Sequence, residues 1–371
     1  MEVNPYREDG STLPDGTTPE RDNGTPAPGA PPLITPSSET VPTPGGPPPS
    51  RHPGQHPHHQ GGRDRFGQNG RRGRRGRGRG GPRPDHGGGA PVPAVIVAEG
   101  DAEGWFDPSR DGGFIRRAAE SYLPTPNDPF VPAPPVTQLA LRGGDMVQAT
   151  VGRDHRGRMA VAQVRTINGE DPASALRRPE FSSLVASYPE RKLVLETGKP
   201  AKGGPELTRR AIDLIAPIGF GQRALIVAPA RAGKTMLLQA ITEGVAINHP
   251  TATLLVLLVD ERPEEVSEMI EWGRGEVIAS SFDQPAERHV DVAEMTLEHA
   301  RRQVENGKDV VIVLDSLTRL ARAHNTVERG TGRTLSGGLD ATAMARPKAF
   351  FGSARSVAPQ HGGGSLTIIA T

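Results

Sequence analysis

Lys234 and Thr235 close the octet APARAGKT, residues 228–235, and their spacing points to phosphate chemistry. A strand-like run, RALIVA (223–228), precedes the octet, and an amphipathic helical pattern, TMLLQAITEGV, follows it. In that context successive backbone N–H groups and the helix N-terminus can cradle a phosphate. Gly233 permits close backbone approach, Lys234 can reach the terminal phosphates, and the Thr235 hydroxyl can ligate Mg²⁺. The usual loop begins with glycine, whereas this one begins with Ala228, which constrains the turn without removing a backbone donor. The candidate ATP-binding set on this reading is Ala230, Ala232, Gly233, Lys234, Thr235, Met236 and Arg262, with Mg²⁺ as the companion ion.

Two acidic residues end apolar runs downstream. Asp315 ends DVVIVLD, and Glu261 follows Asp260 after TLLVLLVD. Acidic residues at the C-terminal ends of buried strands face the ligand crevice of a doubly wound sheet. Asp315 suits the Mg²⁺–water role of a Walker B aspartate; the alternative is a carboxylate that caps the next helix. Glu261 suits the base that orients and deprotonates an attacking water; the alternative is again a helix N-terminal carboxylate. Arg262 can pair with a carboxylate or touch phosphate, and Arg319 and Arg322, three apart, share one helix face. Arg333 stands in a glycine-rich loop, GTGRTLSGG, that reads either as a polyanion grip or as a plain surface loop.

These residues need a scaffold, and the sequence outlines one. From Leu207 to Thr371 the pattern alternates buried-strand runs (223–228, 253–260, 276–281, 309–315, 365–371) with helical stretches (234–247, 263–272, 286–306, 317–325, 340–350). Near-continuous apolar strands are covered on both faces, which predicts a doubly wound α/β P-loop domain with a parallel sheet over 207–371. Residues 91–169 hold five short strand-like pieces, PVPAVIVAEG, GGFIRR, DPFVPAP, DMVQATVG and RMAVAQVRTING, which predict a small OB-type β-barrel. Phe114, Arg116 and Arg117 lie together there and Phe130 a little further on; aromatics and arginines on one barrel face bind single strands, while the same phenylalanines can equally fill the barrel core. Residues 170–206 read as a linker.

Residues 1–90 are mostly Gly, Pro, Ser, Thr, His and Arg with few large apolar side chains, a composition that cannot offset chain entropy and predicts a disordered tail. Within it, residues 61–84 carry nine arginines and one acidic residue, although the net charge of the whole chain is only +1. Such a segment fits phosphate contacts with nucleic acid; the alternative is a solubilising tail. Deleting 61–84 is expected to weaken nucleic-acid binding and flatten its salt dependence, measured by titration at several salt concentrations; an unchanged slope returns the tail to a solubiliser. The run HPGQHPHHQ lacks ordered metal-ligand spacing, and the absence of cysteine removes disulfides and thiolate metal sites. With no signal peptide and no apolar run of roughly 20 residues, a soluble cytoplasmic protein is expected.

Residues 92–371 resemble the bacterial Rho transcription termination family. The motifs that carry the resemblance are LIVAPARAGKTMLLQAI, VLLVDERPEEVSEM, GEVIASSFDQPAERHVDVAEM, DVVIVLDSLTRLARAHNTV, SGGLDA and RPKAFFGSAR. Alanine at the position of Ala228 is typical of that family. The resemblance implies an RNA-dependent ATPase that forms a hexameric ring, moves 5′ to 3′ along RNA and releases RNA polymerase. It implies Lys234 and Thr235 at the phosphate and Mg²⁺ positions, Arg231 as a second phosphate contact, Glu261 as catalytic base beside Arg262, and Asp315 as the Walker B aspartate. It makes 325–340 a pore loop in which Arg333 meets RNA, and makes Phe114, Arg116 and Phe130 part of a primary RNA site. Gly112 departs from the aromatic often found there, and the small helical bundle that usually opens the family is not evident. The family continues past the position of Thr371 with a further pore loop and an inter-subunit arginine finger, so the chain is expected to be C-terminally truncated. That leaves a binding-only alternative, an RNA- and nucleotide-binding protein with little hydrolysis. A generic RecA-like ATPase acting on DNA or in a rotary synthase is the third reading, disfavoured by the barrel and the Arg-Gly tail.

Overall fold

A computed structural model describes residues 96–200, 207–229, 232–328, 340 and 342–371, all within one compact unit, Asp85–Thr371. The N-terminal tail, Ala230, Arg231 and Arg333 lie outside the described residues.

Strands β1 (Gly100–Ser109), β2 (Gly112–Arg116), β3 (Phe130–Pro132), β4 (Met146–Arg153) and β5 (Met159–Ile167) close into a barrel in the order β1-β2-β3-β5-β4, with a short helix α1 (Ala133–Gln138) after β3. Four of these strands match the pieces expected from sequence. The first does not: Ile96–Glu99 carry no regular structure, and the strand instead starts at Gly100. The apolar run loses to GDAEGWFDPS because that segment fills space on both of its faces. Successive side chains on a strand point oppositely. Phe106 therefore joins the barrel core, whereas Trp105 faces outward into the core of the neighbouring sheet, and Val97 is left 72% exposed.

The second layer is a seven-stranded sheet. It contains β6 (Ala186–Ser187), β7 (Arg223–Leu225), β8 (Thr253–Glu261), β9 (Glu276–Ser281), β10 (Asp309–Asp315), β11 (Arg355–Val357) and β12 (Ser365–Ala370). The path runs β6-β11-β12-β10-β8-β9, with β7 paired to β12 off that path. Pairings among β7, β12, β10, β8 and β9 are parallel, while β11 is antiparallel to β12 and β6. The helices are α2 (Leu207–Ile215), α3 (Lys234–Asn248), α4 (Pro263–Trp272), α5 (Ala286–Glu305), α6 (Leu317–Val327) and α7 (Ala345–Gly352). Along β10, Val310, Ile312 and Leu314 pack on the core built with α5 and α6, while Val311 and Val313 pack on the core that includes Leu238, Ile241 and Val245 of α3. Helices on both faces explain why these strands are apolar without alternation.

Residues 170–206, expected as a linker, carry more structure than a connection needs. Phe181 and Leu184 enter the core on the α5 face, Ala186 and Ser187 pair with β11, and Leu193 and Leu195 are fully buried in the core on the α3 face. The last helix, expected over 340–350, starts later, at Ala345.

Barrel and sheet meet along α5. Trp105 stacks on Tyr122 at 3.4 Å and on His299 of α5 at 4.2 Å. His299 Nδ1 lies 2.9 Å from the Gly144 carbonyl, and burial pushes the His299 ring down to about 4, so the imidazole is neutral and donates through Nδ1. Gly144 adopts a left-handed φ of 84°, and a Cβ there would lie 2.3 Å from the His299 backbone nitrogen. Glycine is thus required for α5 to come this close.

Candidate nucleotide and RNA sites

The phosphate-binding loop connects β7 to α3 across 226–233. Gly233 caps α3 at φ 84°, a left-handed conformation in which a β-carbon is strained. The Lys234 ammonium donates to the Ala228 carbonyl at 3.2 Å. Lys234 thus folds back across the loop and borders a cleft of about 850 Å³ with Val227, Ala228, Leu317 and Arg322. Thr235 borders an adjoining cavity with Gln239, Glu261, Glu265 and Asp315. Met236 is exposed on the first turn of α3, Ala232 is exposed in the loop, and Arg262 is exposed just before α4.

The parallel sheet brings the two carboxylates together. Asp315 ends β10 and Glu261 ends β8, and those strands are adjacent. Neither residue caps a helix. The cap of α6 is Ser316, whose hydroxyl accepts from the Arg319 N–H at 3.3 Å, and α4 begins after Arg262 with Glu264 and Glu265 in its first turn. Asp315 instead accepts from the Thr371 hydroxyl at 2.7 Å. Glu261 is buried, and burial together with the nearby Asp315 charge pushes its carboxyl up to about 8, against the opposing pull of Arg319.

Arg319 was legible in the sequence only as a neighbour of Arg322. Here its Nε lies 3.3 Å from Glu261 Oε1, its guanidinium lies 3.5 Å from Asp260 Oδ2, and it donates to the Asp260 carbonyl. Asp260 itself sits at φ 59°, which turns its carboxylate away from the strand line and toward His289 at 4.0 Å. Nothing in the spacing of Asp260, Glu261 and Arg319 marks this triad, because 58 residues separate Glu261 from Arg319 and only the β8–β10 pairing joins them.

On the barrel, Phe114 and Phe130 lie edge to face with centroids 5.6 Å apart. Both are half-buried and stand outside the barrel's buried core cluster. The Arg158 guanidinium lies 3.8 Å from the Phe130 centroid. Arg158 was missed in the sequence; it precedes β5, and only the β3–β5 pairing of Phe130 with Ala160 brings it here. Arg116 is 8% exposed and held between Asp107 at 2.8 Å and Asp128 at 2.8 Å, which places it in a buried ion-pair network under the aromatic pair. Arg116→Ala should therefore cost about 3 kcal/mol of stability by leaving buried Asp128 with Arg117, at 3.5 Å, as its remaining cation. Thermal unfolding checks this, and an unchanged melting temperature contradicts it. Gly112 adopts φ 142°, and a Cβ there would meet the Val131 carbonyl at 2.1 Å, so this barrel's backbone has no room for a third aromatic at that position.

Residues 102–173 match the Rho termination factor RNA-binding domain, and residues 208–371 match the nucleotide-binding domain of the ATP synthase alpha/beta family. A transcription termination factor Rho from Gemmatimonas aurantiaca is 75% identical over 278 residues, covering 75% of this chain and 38% of that protein. The chain belongs to the Rho family. Rho of Allochromatium vinosum is 49% identical over 261 residues (70% of this chain, 61% of that protein). Rho of Escherichia coli K12 is 48% identical over 272 residues (72% and 64%). The chain thus spans less than two thirds of the length of these Rho relatives. A solved structure of a type III secretion system ATPase covers 44% of the chain at 28% identity with a TM-score of 0.38, too distant to bear on the fold. The Rho-type barrel is the one that carries Phe114, Phe130 and Arg158, and the nucleotide-binding domain is the one that carries the loop before Lys234. Among the described residues no helix is long and apolar enough to cross a membrane.

Proposed function

We propose that this chain is an RNA-dependent ATPase that moves 5′ to 3′ along nascent RNA and ends transcription by releasing RNA polymerase. It works in the cytoplasm as a homohexamer, with ATP and Mg²⁺ as its cofactors. The observation that carries this reading is the convergence of Thr235, Glu261 and Asp315 on one cavity beside the loop that holds Lys234.

Among the described residues no group of three or more His, Asp or Glu forms a metal cage. That agrees with a Mg²⁺ site in which substrate phosphates and water complete the shell. The residues fit such an ion: the repulsion between Asp315 and Glu261 is what a nearby cation relieves. Thr235 and Asp315 would hold it, and when bound it would offset charge on the phosphates. Lys234 leaves the Ala228 carbonyl for the terminal phosphates. Glu261, freed of its proton once the local charge is balanced, accepts one from the attacking water. Arg319 holds the Glu261 carboxylate in place.

Single-stranded RNA lies across Phe114 and Phe130, where bases stack, with Arg158 beside them. Phe114→Ala and Phe130→Ala should each weaken RNA binding about tenfold without lowering ATP affinity. Fluorescence anisotropy with labelled RNA checks this, and unchanged RNA affinity returns both rings to a packing role. Direction of movement is tested by unwinding an RNA–DNA duplex with the RNA overhang on either side. A 5′ overhang should support strand release; release from a 3′ overhang alone would overturn the directional reading.

A further inference from the structure

Beyond the nucleotide loop and the aromatic barrel face, the seam between barrel and sheet holds a second concentration of positive charge. A cleft of about 360 Å³ is lined by Arg142, Phe181, Ser182, Arg301, Arg302 and Arg355, with Glu180 and Glu305. The four arginines come from three places: Arg142 from the segment before β4, Arg301 and Arg302 from α5, and Arg355 from β11. Their carboxylates do not match them in number. The Glu305 side chain is fully buried and shared by Arg142 at 3.1 Å and Arg302 at 3.1 Å, with Arg178 at 3.8 Å. Glu298 is shared by Arg301 at 2.6 Å and Arg302 at 3.4 Å. Arg355 has no carboxylate within 4.0 Å among the described residues; its guanidinium lies on Phe181 at 4.4 Å, with Arg301 approaching the same ring at 5.5 Å. The Nε groups of Arg301 and Arg302 are buried with no acceptor among the described residues.

Two guanidiniums on one ring, one of them unpaired, repel each other and lose hydration. Burial and then the Arg301 charge pull Arg355 below its ordinary value. Such a cluster is costly unless an anion completes it. Fork-shaped guanidiniums select oxyanions with several oxygens, phosphates above all.

We propose that this cleft is a binding site for a small polyphosphate anion of the pyrophosphate class, separate from the ATP loop. A passing RNA strand fits it poorly. The Phe181 ring is already covered by guanidiniums, so no base can stack on it, and Glu180 in the cleft wall, with Glu298 paired to Arg301, repels a continuing phosphate backbone. A compact polyphosphate needs only the span of Arg355, Arg301 and Arg142, which line the same cleft. Its occupant would tie the barrel, the segment at Phe181, α5 and β11 together.

The test is isothermal titration of the chain with sodium pyrophosphate at constant ionic strength, in a Lys234→Ala background so that the ATP loop does not compete. One site per chain is expected. Arg355→Gln should weaken it about tenfold or more, since it removes a charge-assisted contact. Ser182→Asp, an exposed substitution in the cleft wall that leaves the core untouched, should do the same. Absence of binding in the Lys234→Ala chain overturns the proposal, as does undiminished affinity in Ser182→Asp. Displacement of the pyrophosphate by a cytosine-rich RNA would assign the cleft to the RNA path instead and also overturn it.

Discussion

Lys234→Ala is expected to abolish ATP binding. The lysine reaches back across the loop, donating to the Ala228 carbonyl at 3.2 Å. In that pose the lysine lines the large cleft beside the loop. A hydrogen bond to a charged partner contributes about 1.5–3 kcal/mol, so losing two such contacts weakens affinity by roughly a hundredfold or more. Backbone N–H groups at the start of α3 remain, but they lack a compensating charge. Calorimetric titration with a non-hydrolysable ATP analogue measures this, and an unchanged dissociation constant refutes the loop assignment. Ala228 should tolerate replacement by glycine with little change in affinity, because its contribution is a carbonyl.

Glu261→Gln separates binding from turnover. The amide keeps the shape of the side chain and its place beside Arg319, so ATP affinity should hold, while turnover should fall by about 10²- to 10⁴-fold if the carboxylate takes a proton from water. The same substitution carries a pH signature that does not depend on activity. In the folded chain without ligand the Glu261 carboxyl is raised to about 8, mainly by burial and then by Asp315, whereas the unfolded carboxyl titrates near 4.5. Between those values the folded state holds a proton that the unfolded state has released. Stability from this group is therefore complete below about pH 4.5 and is lost as pH rises through about 8. Glutamine has no proton to lose, so the variant should gain on the parent in melting temperature between about pH 5 and 8.5, by an amount that grows with pH. A difference that is flat with pH would show that the Glu261 carboxyl is not raised in the folded chain. Normal turnover in the variant would remove Glu261 as the base.

How much of this was legible in the sequence depends on range. The strands β8, β9, β10 and β12 and helices α3, α4 and α5 could be placed closely because each is a buried run or an amphipathic period bounded by local signals. The loop before Lys234 and the carboxylates at strand ends followed from the same pattern. What stayed hidden were contacts set by pairing and closure. Trp105 could not be seen as a seam residue, because its strand was masked by the more apolar run PVPAVIVAEG. Arg116 read as a nucleic-acid contact because its carboxylates, Asp107 and Asp128, are nine and twelve residues away and meet it only when β2 is flanked by β1 and β3. Arg158, and the contact of Arg319 with Glu261, stayed hidden for the same reason. The segment around Leu193 and Leu195 looked like a connection because it lacks periodicity, yet its side chains fill the core on the α3 face.

The central claim is that RNA held on the barrel drives ATP hydrolysis at the loop before Lys234. ATP turnover with and without a cytosine-rich RNA, measured on this chain extended to the length of its Rho relatives, tests it most directly. A rate that rises severalfold or more with RNA, and that needs a higher RNA concentration in the Phe114→Ala variant, is the predicted result. A rate that RNA leaves unchanged would contradict the account.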